Sequence, residues 1–337
     1  MSKVYFLKTK GREPSVMEKA GKKISETFSF DREDKVALKV HFGERQSKTY
    51  LSPDLVKSVY NKLDVKEKAL VDCNVLYKGE RAFESSHKKL ALDQGFDFAP
   101  IVICDGQAGE KEKKIQVNLK HFKEIKIGAL LDNFNSLLVI SHFKGHSLSG
   151  FGGALKNVGM GLGSKAGKLE MHKAFNLEVS GALCVGCGSC QKECPSDAIE
   201  IKDGKAEINF DKCLHCGKCI AVCPLGAIII PFGDSSSLEL QEKIVEYSYG
   251  ILEGKKAFFI NVLLGITSRC DCVREEQKPI MEDIGILCSD DIVSIDKASL
   301  DLAKKEHFER EGVNPLIQID YAERLGMGSK DYQLELL

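Results

Sequence analysis

Residues 184–195 read CVGCGSCQKECP and residues 213–224 read CLHCGKCIAVCP. Each holds four cysteines spaced Cys-x2-Cys-x2-Cys-x3-Cys-Pro, and the second copy starts 29 positions after the first. A cubane [4Fe-4S] cluster takes four soft thiolates, and two x2 gaps let one tight loop wrap three of them around it. The fourth thiolate must arrive from elsewhere, and in paired runs of this kind it comes from the other run. The expected sets are therefore Cys184, Cys187, Cys190 and Cys223 for one cluster, and Cys213, Cys216, Cys219 and Cys194 for the second.

Two zinc ribbons would also use Cys-x2-Cys pairs, but zinc takes its four ligands as two separated pairs and leaves the third x2 cysteine and the x3-Cys-Pro without a role. A disulfide framework suits small secreted chains, whereas the flanking sequence reads as a large intracellular α/β protein. The duplicated run is that of a bacterial two-cluster ferredoxin, each repeat ending in an apolar strand, Ala198–Ile201 or Ala227–Ile230. Between residues 181 and 232 the composition turns to cysteine, glycine and short turns, which marks an inserted module.

At 337 residues the chain has ample length outside that module for a core of its own. Hydrophobic residues make up 43% and charged residues 29%, and the formal net charge is -1. No global field favours nucleic acid or an anionic membrane, and neither is expected as a partner. The N-terminal MSKVYFLKTKGREP has only the apolar run Val4 to Leu7, shorter than a signal peptide requires. The run AFFINVLLGI (257–266) falls well short of a membrane span. Thirteen cysteines and oxygen-labile clusters suit a reducing cytoplasm, the expected location.

Apolar runs alternate with helical patterns on both sides of the module. Strands are expected at Val4–Leu7, Lys35–Val40, Ala69–Val71, Ile101–Cys104, Leu137–Ser141, Lys256–Val262 and Ile284–Leu287. Helices are expected at Pro53–Leu63, Glu80–Gln94, Leu238–Leu252 and Lys297–Glu309. This alternation predicts an α/β fold with a mostly parallel sheet and flanking helices. Because it resumes in kind after the module, residues 1–180 and 233–337 are read as two parts of one α/β domain.

Open α/β sheets bind ligands beyond the carboxyl ends of their strands. Those ends read His41-Phe-Gly-Glu44, Asp72-Cys-Asn74, Asp105-Gly106 and His142-Phe-Lys-Gly-His146. One such residue alone is usually a cap or a satisfied surface group, but four in register point to a site. The glycine-dense segment that follows, as far as Lys168, would let backbone approach a ligand or another helix, and a turn opening a helix would offer N–H groups to an anion. It fits neither a phosphate loop, which needs Ser or Thr where Leu169 stands, nor a dinucleotide turn, which needs a preceding strand. Arg269-Cys270-Asp271-Cys272 is too tight for an easy disulfide, yet it suits two thiolates on one metal or a redox thiol beside Arg269.

The segments ISHFKGHSLSGFGGALKNVGMGLGSKAGK (140–168), CDCVREEQKPIMEDIGILCSDDIVSIDKASLDL (270–302) and YAERLGMGSKDYQL (321–334) resemble the family called domain of unknown function 362, many members of which carry an inserted ferredoxin module. The resemblance covers nearly the whole chain and implies a fold more than an activity. Cys288 departs from it, standing where a small residue is expected. The stretch HSLSGFGGALK (146–156) is also similar to the lactate racemase signature, in which a histidine and a lysine engage a nickel-bearing cofactor. That similarity implies that His146 and Lys156 line a site, although the extra Leu155 before the lysine sets the two patterns apart.

The sequence thus predicts an iron-sulfur oxidoreductase. Two [4Fe-4S] clusters would relay electrons between a soluble donor or acceptor protein and a pocket in the α/β domain, with His142, His146 and Lys156 as the expected catalytic groups. His41, Asp72, Cys270 and Cys272 are candidate ligands of an additional metal ion there, and an anionic small molecule is the expected ligand. An electron carrier or redox-complex subunit without a substrate of its own, and a metal or cofactor maturation protein, are the alternatives.

Overall fold

The computed structural model describes residues 1–172, 177–213, 217–229, 236–273 and 275–337. Its central sheet has eight strands: β1 (Ser2–Lys8), β2 (Lys35–Lys39), β3 (Glu67–Asp72), β4 (Ile101–Ile103), β5 (Ser136–His142), β6 (Lys256–Leu263), β7 (Gly285–Ser289) and β8 (Tyr332–Leu336). Across the sheet they run β8-β1-β7-β6-β5-β2-β3-β4. All neighbours are parallel except β7, which is antiparallel to both β1 and β6. Parallel strands are covered on both faces and so read as continuous apolar runs; β5 is buried at every position.

Alternation along β2 divides those faces. Val36 and Leu38 pack with α1 (Pro14–Ile24), α2 (Pro53–Lys62) and α3 (Glu84–Asp93). Ala37 packs on the other side, where α4 (Ala154–Leu162), α5 (Lys165–Met171), α6 (Ser237–Leu252), α7 (Ile292–Ala303) and α8 (Leu316–Arg324) contribute to a second cluster. The α/β class is therefore as expected, with two shifts in its helices. The expected helix Glu80–Gln94 is broken at Phe83, whose backbone is extended; a short 3-10 turn, Glu80–Ala82, precedes α3. The helix expected at Lys297–Glu309 instead begins at Ile292, because Asp291 caps it, its Oδ1 accepting the N–H groups of Val293 and Ser294 at 2.8 Å.

Between α5 and α6 the chain leaves the sheet. Glu178–Val179 pairs antiparallel with Ile228–Ile229, and a hairpin joins Ile199–Lys202 to Lys205–Ile208. Two short helical turns, Ser189–Lys192 and Lys218–Val222, start after Gly188 and Gly217, whose φ values of 74° and 67° need glycine. These are matching positions of the two cysteine repeats. The segment has its own apolar cluster, which includes Cys184, Cys190, Ile199 and Cys223 and recruits Leu76 and Leu169 from the sheet domain. Ile230, the boundary near 232 and Cys216 lie outside the described residues.

Candidate functional site

The cysteines of the two runs sort across the repeats. Cys184, Cys187 and Cys190 surround one small cavity together with Cys223 of the second run. Cys213 and Cys219 surround another together with Cys194 of the first. Backbone N–H groups turn toward the sulfurs at equivalent places: Ala198 N lies 3.3 Å from Cys194 Sγ and Ala227 N lies 3.1 Å from Cys223 Sγ. Ala206 N is 3.3 Å from Cys184 Sγ. An N–H aimed at sulfur favours the thiolate, and it is one of the means by which a protein tunes a cluster's potential. The described cysteines form no disulfides, so their sulfurs are available as soft donors.

Because β2, β3, β5 and β6 are parallel, their carboxyl ends share one edge of the sheet. A cavity of about 240 Å³ opens there. Its wall includes His41 after β2, Asp72 at the end of β3, Lys144 and His146 after β5, and Cys270 and Cys272 from the loop after β6. Lys156 reaches it from the first turn of α4, and Leu76 and Met160 give it apolar surface.

His142, in contrast, lies beneath the wall. Its Nδ1 is 2.9 Å from Asp271 Oδ2 and its Nε2 is 3.1 Å from the Leu264 carbonyl. Lys144 Nζ stands 3.0 Å from the same carboxylate. Asp271 is buried against His142 and Lys144. Burial alone would raise its carboxyl; His142 and Lys144 more than reverse this and hold it below the usual carboxylate range. With Asp271 pinned inward, its neighbours Cys270 and Cys272 face the cavity.

Cys272 is ringed by donors. His41 Nδ1 accepts the Gly43 N–H at 3.1 Å, which leaves the ring proton on Nε2, 3.4 Å from Cys272 Sγ. Arg81 Nη2 is 3.5 Å from the same sulfur. The Cys270 thiol, the largest influence, also donates to it; together with His41 and Arg81 it draws the Cys272 thiol well down, while Cys270 is pushed up. Arg81 is held in turn by Glu44, at 2.9 Å, and by the Tyr77 hydroxyl. It takes the place expected for Arg269, which pairs instead with Glu275 at 2.9 Å.

Asp72 is neutralised. Lys39 stands 3.1 Å away, with His87 at 3.5 Å and Arg81 at 3.7 Å. Burial would raise this carboxyl, but Lys39, His87 and Arg81 hold it below the usual range. Among the described residues no three His, Cys, Asp or Glu side chains converge closely enough to grip one metal ion. His41, Asp72, Cys270 and Cys272 therefore share a cavity without forming a ligand shell. His146 is oriented likewise as a donor: its Nδ1 accepts the Ser149 N–H at 3.1 Å, leaving the proton on Nε2, and burial followed by Lys156 lowers its pKa well below that of a free histidine.

The amino end of α4 does not offer its N–H groups to a ligand. Asp296 of α7 accepts from Ala154 N at 2.7 Å and from Leu155 N at 2.9 Å, so the glycine-rich turn is closed by an internal carboxylate. Arg81, Asp296 and Lys39, which hold Cys272, the amino end of α4 and Asp72, are residues that sequence reasoning passed over. Only Lys39 carried a visible signal, a lysine inside an apolar strand.

Among curated proteins none matches the chain. It is similar to the solved lactate racemase apoprotein from Thermoanaerobacterium thermosaccharolyticum, at 13% identity and a TM-score of 0.40, over 78% of this chain and 51% of that one. It is also similar to a structural-genomics target protein from Thermotoga maritima, at 13% identity and a TM-score of 0.44, over 94% of this chain and 60% of that one. The chain thus spans between half and two thirds of the length of either protein. A family model matches residues 36–301. The chain belongs to the family described as domain of unknown function 362.

Proposed function

We propose that the protein is an iron-sulfur oxidoreductase, in which two [4Fe-4S] clusters held by the cysteine cages exchange electrons with a ligand in the cavity at the strand ends. The observation that carries this reading is the exchange of fourth cysteines, Cys223 into the cage of the first run and Cys194 into that of the second. Zinc ribbons give no reason for that exchange, whereas two cubanes require it. The donor set fits, with soft thiolates and N–H groups aimed at sulfur. When bound, each cluster would store and pass on one electron at a time.

The chain's own residues supply the rest. Leu76 lines the cavity and also belongs to the apolar cluster that holds Cys184, Cys190 and Cys223. Two residues on, Lys78 Nζ donates to the Pro224 carbonyl at 2.9 Å, so this loop ties the cages to the cavity wall. Lys144, Lys156, Lys168 and Arg81 bring positive charge to that wall, while Asp72 and Asp271 are already paired. An anionic ligand suits such a site, with Lys156 as its counter-charge and His146 Nε2 as a hydrogen-bond donor. This wall is what favours a catalytic protein over a simple carrier. A soluble carrier protein would exchange electrons at the cages, and exposed Cys187 suits a reducing cytoplasm.

Anaerobically reconstituted protein is expected to hold about eight irons per chain as two cubanes. By electron paramagnetic resonance, Cys223→Ala should lose the same signal as Cys187→Ala, and Cys194→Ala the same signal as Cys219→Ala. Loss of the cluster nearer in sequence, or retention of zinc in place of iron, would overturn the reading.

A further inference from the structure

Cys270 and Cys272 have no assigned partner chemistry, yet both face the cavity. A path of contacts also leads to them. Leu76 Cδ2 packs over Gly217 in the loop of the second cage. The next residue, Tyr77, meets Arg81 Nη2 and Glu44 Oε1 through its hydroxyl, and Arg81 Nη2 reaches Cys272 Sγ at 3.5 Å. We propose that Cys270 and Cys272 form a redox dithiol that reduces the disulfide of a small anionic molecule, with electrons arriving along Leu76, Tyr77 and Arg81. It rests on the relay reading for its electrons, though not for its thiol chemistry.

The arrangement suits thiol–disulfide exchange. Cys272 Sγ, with donors from His41, Arg81 and Cys270 around it, is the attacking thiolate. Its attack forms a bond to one sulfur of the ligand and breaks the ligand's S–S bond; the departing thiolate takes a proton from solvent. Cys270 then attacks Cys272 Sγ and passes its own proton to the second departing sulfur, which leaves a Cys270–Cys272 bridge. Two electrons, one from each cluster, and one proton restore the thiolate and thiol. The sum is one disulfide, two electrons and two protons giving two thiols. A bridge closed by Cys-x-Cys is strained and so easily reduced, as a turnover disulfide must be. The cavity volume of about 240 Å³ limits the ligand to a small molecule, and Lys144 and Lys156 favour one that carries negative charge.

The test uses reconstituted holoprotein and the dianionic disulfide 5,5′-dithiobis(2-nitrobenzoate). Cys270→Ser is expected to release a single equivalent of thiolate and to keep a mixed disulfide on Cys272, visible by mass. The unaltered protein should release a second equivalent, keep no adduct and carry the internal bridge, which reopens when the clusters are photoreduced. Lys156→Gln should slow labelling by this probe at least tenfold more than it slows labelling by neutral 4,4′-dithiodipyridine. Equal labelling of a Cys270→Ser, Cys272→Ser double variant would overturn the proposal, as would an adduct that persists in the unaltered protein or a bridge that reduced clusters leave intact. Iron content is read on the same samples: a chain without clusters that still forms the adduct and bridge would remove the relay and the electron route, but not the dithiol.

Discussion

At the scale of single residues, Asp271 decides how the cavity is built. Its carboxylate faces His142 and Lys144 at 2.9 and 3.0 Å, deep under the wall. Removing it would leave Lys144 without its buried counter-charge and His142 without its acceptor, a change that typically costs about 3–5 kcal/mol. Asp271→Ala is therefore expected to lower the unfolding free energy measured in urea by that margin, moving the midpoint down, and to speed alkylation of Cys270 and Cys272 as their turn loosens. An unchanged midpoint would mean that His142 and Lys144 find other partners. The sequence showed the chemistry of this site, because histidine, cysteine and aspartate recurred after apolar strands. It did not show direction. His142 and His146 lie four positions apart after one strand, yet the first donates inward to Asp271 while the second presents Nε2 on the cavity side. That difference is set by acceptors contributed from more than a hundred residues away, Asp271 and Leu264, and no local pattern encodes it. Arg81 was hidden for a similar reason: in a continuous helix it would have been one more surface cation, and only the break at Phe83 turns it in.

Elements were legible where burial is two-sided. The parallel strands β2, β3, β5 and β6 appear as apolar runs within a residue or two of their expected limits. The direction of β7 was not legible, since its five buried residues look the same read either way and only the path of the chain sets its sense. Also missed were α1, α8 and the short edge strand β8, whose polar Gln333 and Glu335 break the apolar signal that marks a strand. The glycine-dense segment supported two expectations, approach to a ligand or to another helix. At Gly159 the second applies: a β-carbon there would collide with the Ile244 carbonyl of α6, so α4 and α6 pack at backbone distance. Gly159→Ala gains about 1 kcal/mol of helix propensity, but forcing these helices apart costs about 1–3 kcal/mol. A net fall in thermal stability is expected, with the iron content of the reconstituted protein unchanged; a rise would show that α6 yields without strain.

For the whole molecule, the concentration of ionisable groups under the sheet edge makes stability depend on pH, and the sign follows from opposing sets. Burial lowers His87 and His172 to about 4, and pushes His41 and His146 down as well. In the unfolded chain such groups titrate near 6.5. As pH falls through that value the unfolded state takes up protons that the folded state refuses, so these histidines withdraw stability on acidification. Asp105 and Asp296 act the other way: burial raises both to about 6, against about 3.9 when unfolded. Their contribution is fully present below about 4 and is lost as pH rises through about 6. Asp72 and Asp271, held below the carboxylate range, keep theirs until still lower pH. Four histidines outweigh two aspartates between pH 7.5 and 5.5, so the melting temperature should fall over that interval, by about 5 °C or more. His87→Gln should shrink the fall, since one proton uptake disappears from the unfolded chain. Asp296→Asn should enlarge it, because the folded state loses a proton that it alone binds. A melting temperature independent of pH, or the two variants shifting in the same sense, would show that these groups titrate in the folded protein much as they do when exposed.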